Sequence, residues 1–190
     1  MIRHLKASDL RRMPWKNGRG STLEIASDAT PGASDWTWRV SVADVPESGP
    51  FSRFPGFERI IACVEGNGMR LAIGGREAID VPRSGAGLRF SGDDATEGLL
   101  IDGPVRDANL FLKRGVWEGE LMVLREAAAA EISGDGSACV YVVAGECALA
   151  VRDTVTTLVR GEAALVEAMP AGLTLCQEST LLLVTFRSRS

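Results

Sequence analysis

The chain has 190 residues, enough to bury a real core as one large all-β unit or as two small lobes, and its 21 Lys+Arg against 25 Asp+Glu give a net charge of -4. No run of like charges stands out, which argues against binding nucleic acid or an acidic membrane by bulk electrostatics. The single histidine, His4, excludes a metal site built from two or three histidines of one chain and leaves a Ser-His or Cys-His nucleophile dependent on a residue near the start of the sequence.

Taken in order, the opening MIRHLKASDLRRMPW has cations but no apolar run of signal-peptide length, and Leu181 to Phe186 is too short to span a bilayer, so a cytoplasmic protein is expected. Met13 to Ile25, MPWKNGRGSTLEI, packs a proline, an indole, a cation, an amide and two glycines into a short loop before alternation at Ser21 to Ala26 predicts a strand. Pro14, Gly18 and Gly20 set the backbone so that Trp15, Lys16 and Asn17 are held in a defined place. Two readings stay open: a seat for something polar, or a structural turn whose Trp15 plugs the end of a core.

After a polar connection at Asp28 to Asp35, Trp36 to Ala43 alternates. Trp36, Trp38, Val40 and Val42 share a core face, and Thr37, Arg39, Ser41 and Ala43 share a face without the lysine and glutamate mixture of a solvated surface, which suits a cavity wall. If this strand pairs with the previous one, Arg39 meets Glu24, either as a partly buried charge-assisted contact or as an exposed ion pair of little worth. Pro46 to Gly56 cannot be a regular helix; its Phe51 and Phe54 either wall a pocket or anchor the loop. Glu58 to Val64, Met69 to Ile73 and Arg76 to Val81 are strands of an antiparallel meander with glycine turns. Pro82 to Gly103 offers only Phe90 to Asp93 as an anchor, Gly103 to Arg114 restores a hydrophobic pattern, and Glu120 to Glu131 reads as strand then linker.

A second meander follows at Ala138 to Ala144, Cys147 to Val151, Thr154 to Val159, Ala163 to Val166, Leu173 to Cys176 and Leu181 to Arg187. Val142 to Gly145 echoes Cys63 to Gly66, which suggests two similar β-lobes: residues 1–115 with the pocket, and residues 116–190, mainly structural. Cys63, Cys139, Cys147 and Cys176 are widely spaced without a metal-ligand pair and read as reduced core residues.

The segment PWKNGRGSTLEI resembles the PWKNGGG-T-EI signature of the HutD/Ves family. WRVSVADVPESGPFSRFPGFERIIACVEGNGMRL and GDDATEGLLIDGPVRDANLFLKRG resemble the blocks that follow it there, so the likeness runs over roughly residues 12–115. It implies an all-β bicupin fold of the RmlC-like class, two antiparallel β-barrel lobes in one chain, and a homodimer. It also implies a role beside histidine utilisation, binding a metabolite such as urocanate or formylglutamate to restrain or tune the pathway; the Ves branch is associated with environmental stress. Motif positions fall on Trp15, Lys16, Asn17, Gly18, Gly20, Thr22, Glu24, Trp38, Arg39, Ser41, Phe51, Ser52, Phe54, Arg59, Asp107 and Asn109. Arg19 stands where the family usually has glycine, and Glu58 where it has aspartate.

The leading expectation is a binding module for a small anionic metabolite. Lys16, Arg39 and Arg59 supply charge and donors, Asn17, Thr22, Ser41 and Ser52 polar contacts, and Trp15, Trp38, Phe51 and Phe54 the walls, with Glu24 beside them. The alternative is a metal-independent cupin enzyme, an isomerase, lyase or hydrolase acting on a small carboxylate, with Glu24 or Asp107 as acid/base. A third reading has the Phe51 to Phe54 loop meeting a macromolecular partner. No cofactor or metal is expected, nor a nucleic-acid or membrane partner.

Overall fold

The computed structural model describes residues 1–15, 18, 20–30, 35–125, 129–133, 135–167, 171–175 and 178–189. Alternating and fully apolar runs become twenty strands among these residues, with one short 3-10 turn at Ala7–Asp9 and no helix long and apolar enough to cross a membrane. In the first part they are β1 (Ile2–Leu5), β2 (Arg11–Pro14), β3 (Ser21–Ser27), β4 (Trp38–Val45), β5 (Gly49–Phe51), β6 (Phe57–Glu65), β7 (Met69–Ile73), β8 (Ile79–Asp80), β9 (Gly85–Ala86), β10 (Leu88–Ser91), β11 (Thr96–Leu100) and β12 (Val105–Lys113). The rest are β13 (Trp117–Arg125), β14 (Ala129–Ile132), β15 (Ser137–Ala144), β16 (Glu146–Val151), β17 (Thr154–Val159), β18 (Ala163–Glu167), β19 (Ala171–Leu175) and β20 (Thr180–Ser188).

These strands form four antiparallel sheets. A six-stranded sheet, β10-β6-β12-β4-β3-β2, faces the four-stranded β5-β11-β7-β8, and the same plan recurs with β1-β18-β15-β20-β13-β9 facing β14-β19-β16-β17. Among the described residues no sheet closes on itself, so the expected pair of barrels takes the form of two open sandwiches in a bicupin arrangement. The period of two along each strand sorts the side chains between layers. Trp38, Val40 and Val42 of β4, with Ile60, Ala62, Leu110 and Leu112, meet Leu121, Val123, Cys139, Tyr141, Leu182, Val184 and Phe186 in a core shared by the two large sheets. Val45, Ile61, Cys63, Met69, Leu71 and Phe90 fill part of the N-terminal sandwich, and Val140, Val142, Leu149, Leu158, Leu173, Leu181 and Leu183 fill the C-terminal one.

Two strands from early in the chain belong to the later sheet: β1 pairs with β18, and β9 pairs with β13. The stretch with few expected anchors, Pro82 to Gly103, holds β9, β10 and β11, whereas the strand expected at Arg76 to Val81 shortens to Ile79–Asp80. The segment from Glu120 belongs to a longer strand beginning at Trp117, and β14 lies beyond residues 126–128, which are outside the description. Cys63, Cys139 and Cys147 are buried, and Cys176 lies outside the described residues. His4 stands apart on the surface, with Nε2 3.0 Å from Glu162 Oε2.

Candidate functional site

The faces of β4, β12 and β6 turned into the N-terminal sandwich are polar where the opposite faces are apolar. Register places Arg39, Phe111 and Arg59 in one row across the three strands, Ser41, Asn109 and Ile61 in the next, and Ala43, Asp107 and Cys63 in the third. Arg39, Ser41, Arg59, Asp107, Asn109 and Phe111 line a cavity of about 620 Å3 together with Trp15, Thr22, Phe51, Ser52 and Phe54.

Both arginines are held by aromatic faces. The guanidinium of Arg39 sits 5.1 Å from the ring centres of Trp36 and Phe111, and that of Arg59 sits 4.9 Å from Phe90 and Phe111, 5.4 Å from Phe54 and 5.5 Å from Phe51. The quadrupoles of these rings offset part of the loss of water around each cation. Their polar contacts differ. Arg59, 4% exposed, donates from Nη2 to Asn109 Oδ1 at 2.7 Å and from Nη1 to the Ser52 carbonyl at 3.3 Å, while its Nε has no hydrogen-bond partner among the described residues. The side chain of Arg39 is 14% exposed, and its Nε has no hydrogen-bond partner among the described residues; Glu24 Oε2 lies 3.8 Å away, beyond hydrogen-bond reach. Burial lowers the pKa of both guanidinium groups, Arg59 to about 10, with Asp107 opposing the shift at Arg59 and Glu24 at Arg39.

Asp107 is 1% exposed. Burial raises its pKa to about 7 against the charge of Arg59 and a hydrogen bond from Asn109, whose Nδ2 donates to Asp107 Oδ1 at 2.7 Å. Since the Asn109 carbonyl accepts from Arg59 and its amide nitrogen donates to Asp107, the orientation of this amide is set from both sides. A chain of hydrogen bonds thus runs from the cation row to the acid row.

The loops complete the walls. Trp15 lies against Gly20, where an added Cβ would be 2.8 Å from the indole, and it donates from Nε1 to Thr22 Oγ1 at 2.9 Å. It lines the cavity and also packs on the core of this sandwich. Phe51 fits over Gly98, where a Cβ would approach its ring to 2.5 Å.

Of the expected site residues, Trp15, Thr22, Arg39, Ser41, Phe51, Ser52, Phe54, Arg59 and Asp107 come together at this cavity. Trp38 does not: it faces the shared core, its ring centre 4.4 Å from Phe186, because the parity that turns Arg39 inward turns its neighbour away. Glu24 is outside the lining, opposite Ser41 and diagonal to Arg39, with the register shifting just beyond it, between Glu24 and Ala26. Lys16 and Asn17, and with them Arg19, lie outside the described residues.

Trp36 was assigned to the face of Trp38, and the structure reverses this. Asp28 accepts from the backbone N–H of Thr37 at 2.6 Å and of Trp38 at 3.1 Å, so β4 starts at Trp38 and Trp36 turns to the cavity side against Phe54, Phe57 and Phe111. Phe111 was missed, although alternation in VRDANLFLK puts it on the face of Asp107 and Asn109.

A family model described as HutD matches residues 7–183. An uncharacterized 21.2 kDa protein in the hutC 3′ region of Pseudomonas putida is 44% identical over 107 residues, which are 56% of this chain and 56% of that relative. The chain thus spans little more than half the length of this curated relative. Among solved structures, a conserved protein of unknown function from Pseudomonas aeruginosa PAO1, PA5104, is 33% identical with a TM-score of 0.86, covering 99% of this chain and 100% of that one. HutD from Pseudomonas fluorescens SBW25 is 31% identical with a TM-score of 0.80 over 100% of both chains.

Proposed function

Because this chain belongs to the HutD family, we propose that it is a binding protein for a small anionic metabolite of the urocanate or formylglutamate class and that it tunes histidine utilisation. The observation that carries this reading is Arg39, a largely buried guanidinium at the cavity, lying against the rings of Trp36 and Phe111, with an Nε that has no partner among the described residues. A buried donor without an acceptor carries a desolvation cost, which a ligand carboxylate accepting two parallel hydrogen bonds would offset. Arg59 shares the unpartnered Nε but has both Nη atoms engaged by Ser52 and Asn109, so it supports the site mainly with its charge. The aromatic rings offer flat walls to a planar or aliphatic body.

One observation favours a second reading. A carboxyl with its pKa raised to about 7 at the cavity is suited to pass a proton near neutrality, as the alternative of a metal-independent enzyme on a small carboxylate requires. Phe51 and Phe54, by contrast, stack on Arg59 and do not favour a macromolecular partner.

Isothermal titration with urocanate, formylglutamate, glutamate and histidine, with the ligand recovered afterwards, tests both. Binding by the native chain, its loss in Arg39→Ala and an unaltered ligand support the binding protein. A chemically altered ligand moves the assignment to the enzyme, and no binding of any of the four overturns the metabolite class.

A further inference from the structure

The cavity has two chemically different ends. Four residues of strand separate the row of Arg39, Phe111 and Arg59 from the row of Ala43, Asp107 and Cys63, a backbone distance of about 13 Å. One end offers guanidinium donors; the other offers a carboxyl. Arg59 and Asn109 bind each other between them and fix the direction of the intervening amide.

That direction sets what Asp107 can do. Asn109 Nδ2 points a hydrogen at Oδ1, so this oxygen acts as an acceptor, and both the amide and the nearby Arg59 charge favour the ionised carboxylate against burial. A carboxylate has room for about four hydrogens. Asn109 and the backbone N–H of Ala43 supply two kinds of contact, and Asp107 is among the residues that line the cavity. A ligand oxygen placed here would meet another acceptor, whereas a ligand N–H would meet a base in a site from which water is largely removed.

We propose that Asp107 is a specificity-determining residue that accepts a hydrogen bond from an N–H group of the ligand, so that the site selects small carboxylates carrying such a donor and orients them with the carboxylate at Arg39. This rests on the anion-binding reading and adds to it a reason for rejecting simple mono- and dicarboxylates. An acid of the same shape without the donor sets an acceptor against the Asp107 carboxylate and forfeits a further hydrogen bond that the carboxylate can take beyond those from Asn109 and Ala43, the kind of mismatch that gives hydrogen-bonding sites their discrimination.

The test uses two nearly isosteric probes, urocanate and trans-3-(2-furyl)acrylate, which share the acrylate and a flat five-membered ring but differ in the ring N–H. Titration calorimetry at one pH of about 8.5, above the value near 7 to which burial raises Asp107, is expected to give at least about tenfold tighter binding of urocanate, the scale of one hydrogen bond to a charged group. In Asp107→Leu, with its fold checked by thermal melting, the ratio is expected to collapse to within about twofold. The comparison in the native chain needs no variant and stands even if Asp107→Leu does not fold. Equal binding of the two acids, or tighter binding of the furan, overturns the role of Asp107 while leaving the anion site in place. Binding of neither overturns the anion site itself, and with it this inference.

Discussion

The two sandwiches are built on one plan and filled in opposite ways. In the C-terminal one, the inward parity of β15, β18 and β20 carries Ala138, Val140, Val142, Ala164, Val166, Leu181 and Leu183, which meet Leu149, Leu158 and Leu173 of the facing sheet. In the N-terminal one, the corresponding parity of β4, β6 and β12 carries Arg39, Ser41, Arg59, Asp107 and Asn109, and about 620 Å3 stays open. The difference teaches how one strand plan can be filled in two ways. A sandwich whose large sheet is clamped from behind by a shared apolar core tolerates charged groups on its inner face, because the packing that holds it lies on the other side.

Breaking the filled sandwich should give the largest effect. Leu149→Ala is expected to lower unfolding free energy by about 2–5 kcal/mol through lost burial and a new cavity, with ligand affinity unchanged in the molecules that remain folded. Denaturant unfolding with a parallel titration checks both halves of that statement.

The hollow sandwich should answer to pH instead. The folded pKa of Asp107, about 7, lies above the ordinary 3.8, so between these values the native state keeps a proton that the unfolded state has released. Its contribution is full below the unfolded value and is lost as pH rises through the folded one, a fall of roughly a few kcal/mol. Asp107→Asn is expected to flatten this fall, measured by denaturant midpoints between about pH 4 and 8 without ligand. An equal slope in the variant would assign the pH dependence to other groups.

Arg39→Ala sharpens the contrast. It is expected to weaken binding of an anionic ligand by about 10- to 100-fold while stability falls by only about 1–2 kcal/mol, the scale of losing the contacts with Trp36 and Phe111 and the ion pair with Glu24. Affinity and melting temperature read on the same preparation test this separation. The smallest effect is expected at the rim: Glu24→Gln, outside the lining and 3.8 Å from Arg39, should alter ligand affinity by less than about threefold. A larger loss would bring Glu24 into the site.

Much of this contrast is legible in the sequence because the strands at its centre obey strict parity. Arg39, Ser41 and Ala43 against Trp38, Val40 and Val42 is a pattern that only a two-sided buried strand needs, and it locates both the shared core and the cavity wall. Parity misleads where it is extended past the end of a strand: Trp36 reads as a partner of Trp38 until Asp28 is seen to take the Thr37 and Trp38 amides. The strands Leu88–Ser91 and Thr96–Leu100 are hidden by their brevity and by the turn-forming residues between them. The role of Asn109 depends on Arg59, 50 residues away, and such a pairing has no local signal. The resemblance at Asp107 and Asn109 names the residues without giving the direction of the hydrogen bonds between them.

The crossing of β1 into the later sheet bears on how the molecule comes together in time. Ile2 pairs with Val166 and Leu5 with Ala163, so β1 waits for β18, far later in the chain, before its backbone is satisfied. The large sheet that bears the cavity likewise presents Val40, Ile60 and Leu110 to solvent until the later half arrives to cover them. The cavity can therefore form early only as a wall without a back, and ribosome-bound chains halted before β13 are expected to recruit chaperones through this uncovered face.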